Sequence, residues 1–281
     1  MINRLDLIKM KRAKEKIAMV TAYDYPSAKQ AEEAGIDLIL VGDSLGNVVL
    51  GYPTTVNVTM DDMIHHTKAV KRGASHTFTV VDMPFMSYHV SFENTLTNAK
   101  KLFQETGAQA VKMEGASKHI LDSIERLASG GIPVMGHLGL TPQTVNVLGG
   151  FKVQGRDLEA AERLLKEAKE LEESGAIAVV LECVPKELAK IITDQISIPT
   201  IGIGAGNECD GQVLVFHDIL QYGVDRLPKF VKPYANINNV NVEALKSYIK
   251  EVKESEFPTD AYSFHIKNKE NLPNVKEREI T

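Results

Sequence analysis

Only two cysteines, Cys183 and Cys209, occur among the 281 residues, which excludes a disulfide framework and a CxxC metal pair. No uninterrupted apolar stretch reaches the roughly 20 residues needed to cross a bilayer. The opening segment, MINRLDLIKMKRAKEK, is charged and lacks the apolar centre of a signal peptide. Together these absences predict a cytoplasmic protein with reduced thiols. Basic charge is not in excess: the formal net charge is -5, and no basic block is large enough to make nucleic acid the main partner. The cluster His65, His66, Lys68, Lys71 and Arg72 reads as the solvated face of a helix. No GxGxxG turn follows the first strand-like segment, which weighs against an open doubly wound sheet.

What is present is alternation. Hydrophobic residues make up 43% of the chain and charged residues 25%, the profile of an ordinary globular protein with a substantial core. Strand-like apolar runs occur at 17–23, 37–43, 78–84, 110–115, 133–139, 178–184 and 199–205. Amphipathic segments at 25–34, 61–72, 91–106, 118–128, 158–174 and 186–195 lie between them. Several of these end at Gly, as in EEAGI, ETGAQ, ASGGI and ESGAI, where a left-handed residue closes a helix. An eighth strand falls in GQVLVFHD (211–218), the least distinct of the set. Eight such units predict an α/β fold, a closed (β/α)8 TIM barrel in a single domain spanning 1–281. A short helical segment precedes it. A helix near 242–253 and a charged tail over 258–281 follow.

The chemistry concentrates at strand ends. Four of the runs deliver charged residues at their C-terminal ends: Asp43, Asp82, Lys112 with Glu114, and Glu182. A carboxylate in a buried parallel sheet costs several kcal/mol unless a cation, a proton or a substrate compensates it. Adjacent strands lie about 4.8 Å apart, so Asp43, Asp82 and Glu114, on three consecutive strands, can converge on one point. Three oxygen donors without a nearby Cys favour a hard cation, Mg2+ first, with Glu114 acting directly or through a water. The competing explanation is that each acid caps a helix or pairs with Lys or Arg at the rim. Lys112 shares a face with Glu114 and can steady a developing enolate or bind a substrate carboxylate, a role compatible with being the counter-ion of Glu114. His137 is either a ligand contact or a satisfied rim histidine. Glu182, across the mouth from the acidic trio, suits a general base better than a metal ligand. The segment IGIGAGN (201–207) admits a phosphate cradle, a carboxylate contact or simple close packing. Met83, Met86, Met113 and Met135 read as packing. The long connections 45–60 and 140–156 leave the C-terminal strand ends, where lids form.

Taken in order, TAYDYPSAK, LVGDSLGNVVLGYPTT, VDMPFMSY, VKMEG, GHLGLTPQ, LECVP and IGIGAG resemble the blocks of the ketopantoate hydroxymethyltransferase family. The resemblance runs from about residue 1 to residue 260 and extends to the phosphoenolpyruvate/pyruvate barrel superfamily. It implies a hydroxymethyltransferase that moves the one-carbon unit of 5,10-methylenetetrahydrofolate onto 3-methyl-2-oxobutanoate through a Mg-stabilised enolate. The product would be 2-dehydropantoate, for pantothenate and coenzyme A synthesis. One Mg2+ per subunit and a homodecamer are implied as well. By the same resemblance Asp43, Asp82 and Glu114 match metal-site positions, and Asp43, Ser44, Asp82 and Lys112 match keto-acid contacts. His137 matches a polar group near the substrate and Glu182 the proton acceptor. Two alternatives stand beside this: a C–C lyase of the same superfamily, although no KKCGH-like loop is visible, and a catalytically silent barrel acting as a binding protein.

Overall fold

The computed structural model describes residues 2–224 and 226–273, the Lys269 side chain excepted. The chain divides into two compact units, Met1–Ala235 and Asn236–Thr281. In the first, eight parallel strands close into a barrel in sequence order. They are β1 (Ile17–Thr21), β2 (Leu38–Val41), β3 (Phe78–Asp82), β4 (Ala110–Glu114), β5 (Val134–Gly139), β6 (Ala178–Glu182), β7 (Thr200–Ile203) and β8 (Gly211–Leu214). The faint eighth strand is real, and its pairing with β1, from Ile17 opposite Gly211 to Val20 opposite Leu214, completes the closure. The helices of this unit are α1 (Arg4–Ala13), α2 (Tyr25–Glu33), α3 (Leu45–Val48), α4 (Met60–Gly73), α5 (Phe92–Thr106), α6 (Lys118–Ser129), α7 (Val145–Leu148), α8 (Leu158–Glu173), α9 (Lys186–Gln195) and α10 (Phe216–Leu220).

Local chemistry sets the boundaries. Asp24 and Thr59 form reciprocal capping boxes that start α2 and α4, and Gly107, at φ 72°, ends α5 in the left-handed conformation expected of it. On α4, His66 Nδ1 lies 2.6 Å from the Tyr23 carbonyl and Lys68 pairs with Glu105 at 3.0 Å. That face is therefore partly engaged with its neighbours rather than wholly solvated.

Strand periodicity then sorts the side chains into two cores. Alternate residues such as Leu38, Leu40, Phe78, Val80, Ala110 and Ile201 fill the barrel interior. The intervening ones, among them Ile39, Val41, Val81, Val111 and Met113, pack under the helices. Each of the Leu, Ile, Val, Phe and Met side chains contributes about 1.5–3 kcal/mol on full burial. Met83, Met113 and Met135 are buried as expected, whereas Met86 is 44% exposed.

The expected lids are not featureless. Residues 45–60 contain α3 and a 3-10 turn at Thr55–Asn57, and residues 140–156 contain a 3-10 turn at Pro142–Thr144 followed by α7. The second unit carries α11 (Ile237–Lys253), none of whose residues is buried. Of the predicted tail, residues 274–281 lie outside the described residues. No helix among the described residues is long and apolar enough to cross a membrane.

Candidate active site at the C-terminal mouth of the barrel

The inward alternation that places Leu and Val low in the barrel places charge at its top. On β3 the series is Phe78, Val80, Asp82, and on β4 it is Ala110, Lys112, Glu114. Strand register then decides the partners. Asp82 is paired with Lys112 and Glu114 with His137. Lys112 Nζ accordingly meets Asp82 Oδ1 at 2.9 Å, with both side chains 4% exposed. The counter-ion of Lys112 is thus Asp82 on the neighbouring strand, not Glu114 two residues on.

His137, on β5, bridges two acids. Its Nδ1 lies 3.4 Å from Glu114 Oε1 and its Nε2 lies 3.2 Å from Glu182 Oε2. Lys112 Nζ also approaches Nδ1, at 3.2 Å, so an ammonium and a carboxylate compete for one ring nitrogen. Burial and Lys112 push the imidazole down, but the carboxylates of Glu114 and Glu182 outweigh them and raise it from 6.5 to about 9. The two carboxylates thus favour the protonated ring, against the pull of Lys112 on Nδ1. Glu182, which sequence spacing sets across the mouth, is joined through this ring to the acidic side, because β5 stands between β4 and β6.

Asp43 follows β2. Its backbone N–H donates to Asp82 Oδ2 at 3.0 Å, and its own Oδ2 accepts from Gln143 Nε2 at 2.8 Å. Burial, then the charges of Asp82 and Glu114, raise its carboxyl well above the usual range, against the pull of Lys112 and Gln143. Burial raises Asp82 too, opposed by Lys112 and the Asp43 N–H. Glu114 goes the other way: burial pushes it up, but His137, Lys112 and the Gln143 N–H hold it below normal. Lys112 is raised despite burial, by Asp82, Glu114 and Asp43. The surplus charge of the mouth is negative, and it falls on Asp43.

Ser44 sits beside Asp43, its Oγ 2.8 Å from the hydroxyl of Tyr23. All the residues expected to carry chemistry, Asp43, Ser44, Asp82, Lys112, Glu114, His137 and Glu182, line one cleft of about 780 Å3. Glu182 is the most open of the acids, with 15% of its side chain exposed against 3–4% for Asp82 and Glu114. Among the described residues no group of three or more His, Cys, Asp or Glu side chains forms a ready-made metal cage. The trio converges electrostatically, but Glu114 has both oxygens engaged, Oε1 by His137 and Oε2 by the Gln143 N–H at 3.1 Å.

Gln143 and Tyr88 are the partners that strand spacing does not reveal. Gln143 is 3% exposed. Its Nε2 donates to Asp43 and to the Met83 carbonyl at 2.9 Å, and its Oε1 accepts from the Tyr88 hydroxyl at 2.7 Å. The same hydroxyl accepts from the Glu114 N–H at 3.2 Å. Gln143 closes the GHLGLTPQ block, yet no helical or strand period places a loop amide against an acid 100 positions away. The glycines of IGIGAGN are explained by packing: a Cβ at Gly204 would lie 2.9 Å from the Phe230 ring, and one at Gly206 would lie 2.4 Å from Lys186 Cβ.

A closed parallel barrel with an ion-paired acidic mouth at its C-terminal face has the form of a TIM-barrel enzyme. Solved structures of that kind align with the chain. Phosphonopyruvate hydrolase, in a complex with oxalate and Mg++, matches with a TM-score of 0.60 at 13% identity, covering 95% of this chain and 93% of the other. 2,3-Dimethylmalate lyase matches with a TM-score of 0.57 at 14% identity, over 92% and 91%. Such identities speak for the fold alone. More specifically, the chain belongs to the ketopantoate hydroxymethyltransferase family, whose model matches residues 2–260. It is 58% identical over 272 residues to 3-methyl-2-oxobutanoate hydroxymethyltransferase of Bacillus cereus (strain B4264), covering 97% of this chain and 98% of the relative. The protein of the same name from Bacillus thuringiensis (strain Al Hakam) is also 58% identical, over 97% of each chain.

Proposed function

We propose that the chain is a 3-methyl-2-oxobutanoate hydroxymethyltransferase that takes its one-carbon unit from 5,10-methylenetetrahydrofolate and releases 2-dehydropantoate. The observation that carries the reading is the Glu114–His137–Glu182 bridge beside the Asp82–Lys112 pair, in a family of this activity.

A divalent cation fits the donor set. Asp43 and Asp82 offer hard oxygens, Asp82 Oδ1 is held by the Lys112 ammonium alone, and burial with the charges of Asp82 and Glu114 raises the Asp43 carboxyl, which a cation would relieve. Asp43 and Asp82 would hold one Mg2+ per subunit. Glu114, with its oxygens already engaged, would act through a water or by orientation. When bound, the ion would draw charge from the carboxylate and keto oxygens of the 2-oxo acid and make its C3 proton more acidic.

The protein's own groups do the rest. Glu182 accepts the C3 proton at its carboxylate, with His137 fixing Oε2 and supplying positive charge behind it. Lys112, already paired with Asp82, offsets charge that develops on the substrate oxygens. Ser44, anchored by Tyr23, hydrogen-bonds the keto acid. The segments 45–60 and 140–156 keep bulk water from C3, so that C3 bonds the methylene carbon of the donor before a proton returns; one water is consumed, its oxygen becoming the new hydroxyl as the two carbon–nitrogen bonds to tetrahydrofolate break.

Exchange of the C3 proton of 3-methyl-2-oxobutanoate in D2O, with Mg2+ and without folate, tests the assignment. Wild type exchanges and Glu182→Gln does not. Equal exchange by both removes Glu182 from the role, and transfer without a folate donor contradicts the reaction. Cleavage of a 2-oxo-acid adduct instead of transfer would restore the lyase alternative. The family reading also carries a cytoplasmic homodecamer, for which sedimentation must give ten subunits.

A further inference from the structure

The cleft is larger than one substrate needs. A 2-oxo acid of eight heavy atoms is slightly bigger than benzene, which occupies a cavity of about 150 Å3, while the cleft holds about 780 Å3. The remaining space extends away from Lys112 and Glu182 toward the end of β8. There Asp218, on α10, lines the wall. Its carboxylate is partly buried and makes no side-chain hydrogen bond or ion pair among the described residues. Burial alone pushes it up to about 6, the mark of a carboxylate short of donors.

Its position relates it to the reacting end. The Phe216 N–H donates to Thr21 Oγ1 at 2.9 Å, tying α10 to the end of β1, and β1 is flanked by β2, whose C-terminal end leads into Asp43 and Ser44. The Asp218 charge is felt at the Tyr23 hydroxyl, which bonds Ser44. Farther out, the lip of the cleft changes character: Phe151 and Phe230 bring aromatic faces, and Lys152, Arg226 and Lys229 bring positive charge.

We propose that Asp218 anchors the pterin of the one-carbon donor, its two oxygens accepting the ring N3–H and the 2-amino group. Phe151 and Phe230 then flank the aryl linker, and Lys152, Arg226 and Lys229 face the glutamate carboxylates. The match is chemical. The 2-amino-4-oxopteridine edge presents two parallel N–H donors, and an ionised carboxylate is an acceptor-only group with two oxygens. The donor combines a polar edge, an aromatic ring and an anionic tail, and the cleft wall offers an acid, aromatic rings and bases to meet them. This assignment rests on the hydroxymethyl-transfer reading.

Asp218→Asn tests it, because the amide keeps the shape and turns one acceptor into a donor. The variant should raise the KM for 5,10-methylenetetrahydrofolate, and the calorimetric Kd for tetrahydrofolate, by roughly tenfold or more. Folate-free C3 exchange, which does not involve the pterin, reports on folding and on the keto-acid half in the same sample. Exchange at the wild-type rate with a weakened folate KM and Kd supports the anchor; the same exchange with both unchanged overturns it. Should Asp218→Asn fold poorly, Lys152→Ala with Lys229→Ala gives a second reading: the preference for polyglutamylated over monoglutamyl donor should shrink, and an unchanged preference removes the lip from the proposal. Absence of any transfer by wild type would instead defeat the underlying reaction, an outcome distinct from these.

Discussion

The lower and upper halves of the barrel interior are built by the same strands and obey opposite rules. Low in the barrel, Ile17, Leu38, Phe78, Val80, Ala110 and Ile201 form an apolar plug whose burial stabilises the fold. Two residues farther along the same strands stand Asp82 and Lys112, with Glu114, His137 and Glu182 around them, where desolvation costs several kcal/mol per charge. Register turns that cost into specific pairs, and what remains uncompensated collects on Asp43. Stability and chemistry are thus separated along the barrel axis by about one repeat of the strand.

Five changes would break or sharpen that separation. Glu182→Gln should lower kcat by about 10^3-fold and leave the melting temperature nearly unchanged; steady-state rates within tenfold of wild type would mean the mouth holds another base. Leu38→Ala, at the bottom, should do the reverse. It should cost about 2–5 kcal/mol in denaturant unfolding and keep kcat within about twofold, and a collapse of activity in the folded variant would show that the halves are coupled.

Asp43→Asn should reduce activity by about 10^2-fold and yet raise the Tm of metal-free protein by a few degrees. The sign follows from its raised carboxyl: ionised Asp43 costs stability at neutral pH, a cost relieved as pH falls through the folded pKa or when a neutral amide replaces it. A lower Tm would contradict the charge surplus. Gln143→Ala should weaken Mg2+ binding by about tenfold, as loss of a partner that orients a metal ligand does. It should also speed amide exchange over 140–156; titration calorimetry with wild-type affinity would reduce Gln143 to packing.

The smallest effect concerns pH. His137 is raised from 6.5 to about 9, so its contribution to stability is complete below about 6.5 and is lost as pH rises to about 9. Metal-free wild type should lose a few degrees of Tm across that window relative to His137→Gln, and parallel curves for the two proteins would refute the bridge.

How legible all this is from sequence follows the range of the interactions. Each strand, even the short Gly211–Leu214, announces itself through local apolar runs, and the period of two brings Asp82, Lys112, Glu114 and Glu182 to one face at one end. The pairing is not local. Lys112 could balance Glu114 or Asp82, and only the register between β3 and β4 decides for Asp82. His137 could be a rim residue until β4 and β6 are seen on either side of it. Gln143, Tyr88 and Asp218 lie on loops or a short helix, where no period says which way a side chain turns. The basic and aromatic lip is assembled from residues after β5 and after α10, far apart in sequence, so no single stretch stands out as a binding site.

Gly139 closes β5 at φ +93°, and a Cβ there would stand 2.2 Å from the carbonyl oxygen of Glu182. That same oxygen accepts the N–H of Leu140 at 2.8 Å. The backbone of Glu182, the proposed proton acceptor, is therefore clamped by the first step of the 140–156 connection that carries Gln143. For anyone grafting new loops onto this barrel to change its substrate, the 140–156 segment is not an interchangeable part. A replacement must leave Gly139 in place ahead of it, or the graft will shift the Glu182 backbone before it meets any new ligand.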